Sequence, residues 1–408
     1  MKKIAFNIAT ILCSSLVGLY LVEGTVIVSG YFDSNNSVEI TDSQGVSFDK
    51  RTKLEVFEDL HKLYRGGVSP ATYPLEFIEF IKNSRIKTGD DFKLKLNSES
   101  ILPLGGISFK NIILCNEAGE WITFDSDRYG FNNNDYVWDY KNVDFMLVGD
   151  SFAQGYCVER RSNIAGILES KGSYAINLGT GGNGPLVNFA VIKEYIELLK
   201  PKNIIWIYFE GNDLSDLKLE KNNEILNKYL KDPDFQQGLL QKQQVTDKIL
   251  RQYVASQYSL KKDIVNDSWH DYVISFIKML NVRGVIGNYR SYLKNFSNYY
   301  VEEIPIFQKI LNKTINVANE HNSKIIFVYL PEYERYESSL TRDEHDTYKS
   351  KYLVIDMVES LGIEVFDVHA EILSKSNDPL KYFPFRMRGH YNEKGYKEIS
   401  NALYSRFH

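Results

Sequence analysis

Cysteine and histidine are scarce in this sequence, and its net charge is not positive. Each of these features argues against a class of protein. The 408 residues include three cysteines and seven histidines, and the formal net charge is −5. No cysteine pair has zinc-type spacing and there is no basic stripe, so no zinc module and no nucleic-acid partner is indicated. No cluster of carboxylates and histidines has ligand spacing, so no metal is predicted. Cys13 lies in an apolar segment, which leaves Cys115 and Cys157 able to pair, although nothing in the sequence requires it.

A long uncharged apolar run occurs once, at the N-terminus. Lys2 and Lys3 precede it, and it extends from Ile4 to Val22. At about 1.5 Å per residue, this run is just long enough to cross a hydrocarbon core of roughly 30 Å. We therefore predict that residues 1–24 form a signal anchor, with the rest of the chain outside the cytoplasm on the periplasmic or extracellular face. A cleaved signal peptide is the alternative.

From residue 143 onward, short apolar runs alternate with amphipathic segments of helical periodicity. The predicted strands are Asp144–Val148, Tyr174–Leu178, Asn203–Phe209, Lys324–Leu330 and Glu364–Phe366. This alternation indicates a three-layer α/β/α sandwich around a parallel sheet of about five strands. Residues 25–142 are predicted to form a lead-in α+β subdomain, to which we assign no chemistry. Residues 214–305 are a charged insertion with helices predicted at Leu217–Lys231, Gln244–Tyr258 and Tyr272–Leu280. It is either a solvated surface or a lid over the site.

Four polar turns follow the apolar runs or open helices. The first, Gly149-Asp150-Ser151, presents a serine where a strand is followed by a helix-compatible segment. The others are 177–184, which reads Asn-Leu-Gly-Thr-Gly-Gly-Asn-Gly, then Gly211-Asn212-Asp213, and 389–392, which reads Gly-His-Tyr-Asn. The carboxyl ends of parallel strands lie along one edge of a sheet, where α/β proteins place their sites. The first three turns are therefore expected to converge there.

In this order the four turns resemble the sequence blocks of the SGNH (GDSL-type) hydrolase family. The resemblance implies a flavodoxin-like fold, with Ser151 as the nucleophile and His390 as its base. It also implies an oxyanion hole formed by the backbone N–H groups of Ser151 and Gly182 and the side-chain amide of Asn212. The implied activity is that of an O-acyl esterase or O-acyltransferase acting on an acylated carbohydrate, such as a cell-surface polysaccharide, or on another small ester.

The sequence departs from the family pattern just before His390. The family usually has an aspartate two or three residues before this histidine, whereas Arg388 and Met387 stand here. A carboxylate from elsewhere could orient the imidazole, and Asp378 and Glu332 are the candidates. Otherwise a backbone carbonyl could orient it, or the protein could be a non-catalytic glycan-binding or polysaccharide-assembly component that keeps the fold.

The segment Gly179–Gly184 also fits a Gly-x-Gly-x-x-Gly dinucleotide fingerprint, with Glu210 as the acid at the end of the next strand. This alternative is disfavoured for two reasons. The loop follows the second strand of the series, whereas the fingerprint normally follows the first. It also leaves the other three turns unexplained. We therefore predict no cofactor.

Overall fold

The computed structural model describes residues 18 and 20, 47–87, 101–266, 301–337 and 349–408. The chain divides into two compact units. Ser47–Val254 together with Tyr300–His408 forms the larger unit. Met1–Val46 together with Ala255–Tyr299 forms the smaller one, of which the structure describes Gly18, Tyr20 and the end of one helix. All features of the site belong to the larger unit.

The larger unit is built on a five-stranded parallel sheet, as predicted. Its strands are β4 (Phe145–Val148), β5 (Ala175–Asn177), β6 (Asn203–Phe209), β7 (Lys324–Leu330) and β8 (Glu364–Asp367). Their spatial order is β5-β4-β6-β7-β8, and every neighbouring pair is parallel. The order reverses at β4, so β4 and its neighbour β6 flank the switch point at which ligands bind in such sheets.

Helices cover both faces of this sheet because its strands are apolar on both sides. Successive side chains of β4 point to opposite faces: Met146 and Val148 join one buried cluster, and Phe145 and Leu147 join the other. The first face is covered by α5 (Pro185–Leu199), α9 (Ile304–Glu320) and α11 (Lys349–Ser360). The second is covered by α4 (Ile164–Ser170) and α12 (Glu393–Phe407). The predicted three-layer sandwich is therefore confirmed.

Residues 47–142 contain a small sheet of their own. Helices α1 (Lys53–Leu63) and α2 (Pro74–Lys87) accompany β1 (Val68–Pro70), β2 (Asn111–Cys115) and β3 (Ile122–Asp125). β2 pairs in parallel with β1 and antiparallel with β3. Residues 116–121 connect β2 to β3. This loop supplies a residue of the site.

The insertion after β6 begins with α6 (Asp213–Glu220) and α7 (Glu224–Lys231) and continues into α8 (Gln243–Asn266). The helical periodicity of residues 217–231 predicted a single helix, and this prediction was wrong. The helix is interrupted before Asn223. The Asn223 side chain accepts the backbone N–H groups of Ile225 and Leu226 and so caps a second helix. The helix predicted over 272–280 lies outside the described residues.

The remaining elements are short. α3 (Ser151–Gln154) and α10 (Glu334–Glu337) are single turns at the carboxyl edge of the central sheet. 3₁₀ turns occur at Asp135–Asp139, Arg160–Ser162, Leu239–Gln241, Val301–Glu303, Pro379–Tyr382 and Pro384–Arg386, and a π turn at His369–Leu373. Within the described residues, no helix has the length and apolar character needed to cross a membrane. The predicted anchor lies outside them except for Gly18 and Tyr20.

Candidate active site

The turn between β4 and α3 presents Ser151 at the carboxyl edge of the sheet. Gly149 has φ +153°, and a Cβ at this position would come within 2.7 Å of the Ile207 carbonyl oxygen on β6, so only glycine fits. The buried Asp150 carboxylate accepts the N–H of Phe152 at 2.9 Å and caps the following turn. Asp150 therefore shapes the turn that carries the serine.

His390 reaches Ser151 from the loop that precedes α12. Asn392 caps this helix by accepting the N–H of Gly395 at 3.0 Å, which fixes the loop two residues after the histidine. The Nε2 atom of His390 lies 2.7 Å from the Ser151 Oγ. The two residues predicted as nucleophile and base are thus brought together, although they are 239 positions apart in the chain.

The carboxylate that orients His390 is Glu117, in the loop between β2 and β3. Its Oε1 lies 2.8 Å from His390 Nδ1, and its Oε2 accepts the backbone N–H of His390 at 2.7 Å. With the ring proton on Nδ1, Nε2 is free to accept the Ser151 hydroxyl. The two contacts therefore select the required tautomer and hold both the ring and its backbone.

Neither acid suggested by the sequence occupies this position. Asp378 pairs with Arg386 at 2.6 Å, and this ion pair is partly exposed. Glu332 follows β7, and its carboxylate lies beside Gly211 in the turn that follows the neighbouring strand β6. The orienting acid is therefore Glu117 and not Asp378 or Glu332. The lead-in segment, to which no chemistry was assigned, supplies it.

The charge state of Glu117 suits this role. Burial acts to raise its pKa, but the hydrogen bonds and positive charge of His390 outweigh burial and keep the pKa below its ordinary value. The carboxylate is thus ionised at neutral pH, as it must be to stabilise an imidazolium formed during proton transfer. About a quarter of the Glu117 side chain is exposed, 27%, against 19% for that of His390.

Two aromatic rings pack against the imidazole of His390, one from α3 and one from the residues that follow it. The Phe152 ring centroid lies 4.6 Å from that of His390, and the Tyr156 centroid lies 4.5 Å from it. The Tyr156 hydroxyl lies 3.4 Å from the hydroxyl of Tyr73, whose ring packs against Gly181 in the next loop. These contacts connect the base to the loop that carries Gly182.

The three predicted oxyanion donors lie in the turns that follow β4, β5 and β6. Within the described residues, the backbone N–H groups of Ser151 and Gly182 donate no hydrogen bond, so both are available to a ligand. Gly182 has φ +71° and its α-carbon faces open space. Asn212, which precedes α6, lies beside the Asp150 carboxyl group. The turns after β4, β5 and β6 therefore carry the three predicted donors at the same edge of the sheet.

Segment 127–135 supports these loops. Asn132 donates to the Gln154 carbonyl at 3.0 Å. Asn133 exchanges hydrogen bonds with the backbone of Asn177. Gln154 in turn accepts the N–H of Gly181 at 3.1 Å. The lead-in segment therefore fixes the serine turn and the glycine-rich loop relative to each other.

A group of buried acids lies behind the site. Burial raises the pKa of Asp150 to about 6, that of Asp216 to about 8 and that of Glu220 to about 8. Burial, together with the negative charges of Asp150 and Asp216, raises the pKa of Asp213 well above its ordinary value. Glu220 accepts the N–H groups of Gly184 and Leu186 and so anchors the end of the glycine-rich loop. In the folded state these groups retain protons that the unfolded chain would release.

We therefore expect the protein to lose stability as the pH rises from about 4 to about 8. An unfolded aspartate releases its proton near pH 3.8, whereas the folded state keeps it until about pH 8 at Asp216. Each proton that the folded state binds in excess lowers the free energy of unfolding by up to about 1.4 kcal/mol per pH unit across that interval. Asp213→Asn should flatten the decline of the melting temperature with pH, and the exposed control Asp356→Asn should not. Parallel curves for wild type and Asp213→Asn would contradict the assignment.

Glu210, the acid required by the dinucleotide alternative, is occupied by other contacts. It forms a buried ion pair with Arg335 and accepts the hydroxyl of Tyr329 and the N–H of Glu332. A carboxylate held by these contacts stabilises the junction between β6 and β7 and is not available to bind a ribose.

Glu117 was not predicted from the sequence because nothing in its local sequence pattern marks it. The one signal was the option of a Cys115–Cys157 pair, which would have placed residues near 115 beside Ser151.

No protein-family model and no curated protein matches the chain. Among solved structures, it is similar to a G-D-S-L family protein from Desulfitobacterium hafniense (13% identity, TM-score 0.33, covering 66% of this chain and 100% of that one). It is also similar to an acetyl xylan esterase (13% identity, TM-score 0.35, covering 64% of this chain and 98% of that one). A third similar structure is a GDSL-like lipase from Bacteroides thetaiotaomicron (10% identity, TM-score 0.33, covering 65% of this chain and 87% of that one). These scores are too low to carry an argument about activity.

The strand order and the site geometry define the class. A parallel sheet in the order β5-β4-β6-β7-β8 bears a serine after β4, a glycine-rich loop after β5, an asparagine after β6 and a histidine before the last helix. That is the arrangement which the four sequence blocks implied. The chain has an SGNH-type hydrolase fold.

Proposed function

We propose that this protein is a serine esterase or acyltransferase that acts on O-acyl groups through a Ser151 acyl-enzyme. The observation that carries the proposal is the continuous chain from Ser151 through His390 to Glu117, with contacts of 2.7 and 2.8 Å. Such a chain activates a hydroxyl that is otherwise a weak nucleophile. Glu117 supplies the kind of carboxylate that the sequence lacks immediately before His390, which supports a catalytic protein over a glycan-binding one.

In the proposed reaction, the Ser151 Oγ attacks the ester carbonyl carbon while His390 Nε2 takes its proton. The carbonyl oxygen becomes an oxyanion, which the N–H groups of Ser151 and Gly182 and the Asn212 amide stabilise. The intermediate collapses, the C–O bond to the alcohol breaks, and Nε2 returns the proton to the departing alcohol. Water or a sugar hydroxyl then attacks the acyl carbon and passes its proton to Nε2. The bond from the acyl carbon to Ser151 Oγ breaks, Nε2 returns the proton to Oγ, and the free acid or the new ester leaves.

The proposed substrate is an acylated carbohydrate outside the cytoplasm. Support comes from the resemblance to exported family members that have one N-terminal anchor and a lead-in segment. The Cys115–Cys157 disulfide adds independent support, because such bonds persist mainly in oxidising compartments. The protein is accordingly proposed to be held at the membrane by residues 1–24, with its site on the outer side.

The test is to incubate the full-length protein in detergent with an acetylated polysaccharide and measure free acetate, with and without a deacetylated oligosaccharide as acceptor. A parallel assay would use p-nitrophenyl acetate and labelling by a fluorophosphonate. Release of acetate supports an esterase, and transfer to the oligosaccharide supports an acyltransferase. A protein that binds the polysaccharide but neither turns over ester nor takes the label would refute the proposal and favour a glycan-binding role.

A further inference from the structure

The Cys115–Cys157 disulfide joins the segment that carries the acid to the segment that carries the serine. Cys115 ends β2, and Glu117 follows it by two positions. Cys157 lies six positions after Ser151, beyond the end of α3. The Cα atoms of the two cysteines are 5.5 Å apart, and 42 positions separate them in the chain. Two members of the proposed triad therefore lie within six residues of one covalent bridge.

Glu117 needs such a bridge because it does not belong to the central sheet. Its loop is held chiefly by contacts within its own segment: Asn116 donates to the Asp49 carbonyl at 2.7 Å, and the Asp49 N–H donates to Gly119 at 2.8 Å. These bonds fix the shape of the loop, and the two hydrogen bonds of Glu117 connect it to His390. On the Ser151 side, the segment is connected by the disulfide, by a 3.3 Å hydrogen bond from Tyr156 to the Leu114 carbonyl and by the apolar cluster around both cysteines.

Both cysteines of the disulfide are buried and closely packed. Cys115 is 6% exposed and Cys157 5%, and both pack among Ile112, Leu114 and Phe124. Burial of this kind shields a disulfide from attack by solvent thiols. Cys157 has φ +62°, a conformation that a non-glycine residue keeps only where its surroundings enforce it. The position of Cys157 is therefore closely determined, as a fixed reference point for Glu117 requires.

We propose that the Cys115–Cys157 disulfide is a positioning element of the active site, which holds the Glu117 carboxylate against His390. The inference rests on the proposed function, in which His390 must keep its proton on Nδ1 and aim Nε2 at Ser151. A displacement of about 1 Å at such a site costs on the order of a hundredfold in rate. Without the bridge, only non-covalent contacts hold the loop against the imidazole, and the position of the carboxylate is less closely determined.

The test is a double-mutant cycle on the full-length protein. The variants are Cys115→Ala/Cys157→Ala, Glu117→Gln, and the combination of all three, assayed for kcat with p-nitrophenyl acetate at a temperature where circular dichroism shows each to be folded. Removing the bridge should lower kcat about ten- to a hundredfold in the wild-type background. In the Glu117→Gln background it should change kcat less than about threefold, because the carboxylate that the bridge positions is already gone. Equal losses in both backgrounds would overturn the proposal.

A second measurement does not depend on turnover. The proton shared by His390 Nδ1 and Glu117 should give a far-downfield proton NMR resonance, which Ser151→Ala should keep and Glu117→Gln should lose. The variant without the bridge should lose or broaden it while the remaining amide spectrum stays native. A resonance that persists unchanged in the folded variant would show that the disulfide does not act through Glu117. If the wild type shows the resonance but no turnover, the proposed function fails and the positioning role stands.

Discussion

Ser151→Ala is expected to abolish both ester turnover and fluorophosphonate labelling. The Ser151 Oγ is the atom that His390 Nε2 contacts at 2.7 Å, and alanine leaves no group able to form the acyl-enzyme. Loss of the serine of a comparable triad costs roughly a millionfold in kcat. The measurement is kcat on p-nitrophenyl acetate together with in-gel labelling, with circular dichroism to show that the fold is retained.

Two further variants make this result specific. Ser170→Ala, on the exposed surface of α4, is the matched control and should leave turnover and labelling unchanged. His390→Ala should lose turnover to a similar extent, and the double variant Ser151→Ala/His390→Ala should be no slower than either single one, because residues of a triad act as a unit. Residual turnover in Ser151→Ala above a few per cent of wild type would show that another nucleophile is at work.

The central sheet could be predicted from the sequence because its strands are buried on both faces. The bounds of β6 and β7 match the prediction at both ends, since each is a continuous apolar run that ends at polar or turn residues. Burial on one face only would have left an alternating pattern that is easily confused with surface. Ser151 and His390 could be identified because each stands in a short polar block directly beside such an element.

Glu117 could not be identified in the same way, for a physical reason. Its partner His390 is 273 positions away, and the contact depends on how the small β1-β2-β3 sheet packs on the core around the central sheet. Periodicity reports which face of an element is buried, but not which loop of one sheet meets which loop of another. Neighbouring Glu120 stands in the same loop and is exposed, so composition does not distinguish the two acids.

Glu117→Gln is expected to lower kcat by about a hundred- to ten-thousandfold with little change in KM. Glutamine keeps the size of the side chain but removes the charge that stabilises the imidazolium, and the neutral amide can hold the wrong tautomer. Glu120→Gln in the same loop is the matched control, and Asp378→Asn tests the acid suggested by the sequence. Both should stay within about threefold of wild type, because surface polar changes rarely do more.

The variant Glu117→Asp distinguishes the effect of the negative charge on activity from the effect of side-chain length. Aspartate keeps the negative charge but is one methylene shorter, so it cannot bond both His390 Nδ1 and the His390 backbone N–H at the present distances of 2.8 and 2.7 Å. An activity between those of wild type and Glu117→Gln would mean that charge and orientation both contribute. If Glu117→Asp is as slow as Glu117→Gln, orientation dominates, which is the result that a site with a covalently positioned acid requires. If Glu117→Gln itself retains nearly full activity, the protein works with Ser151 and His390 alone, and Glu117 is only a structural support for the loop before α12.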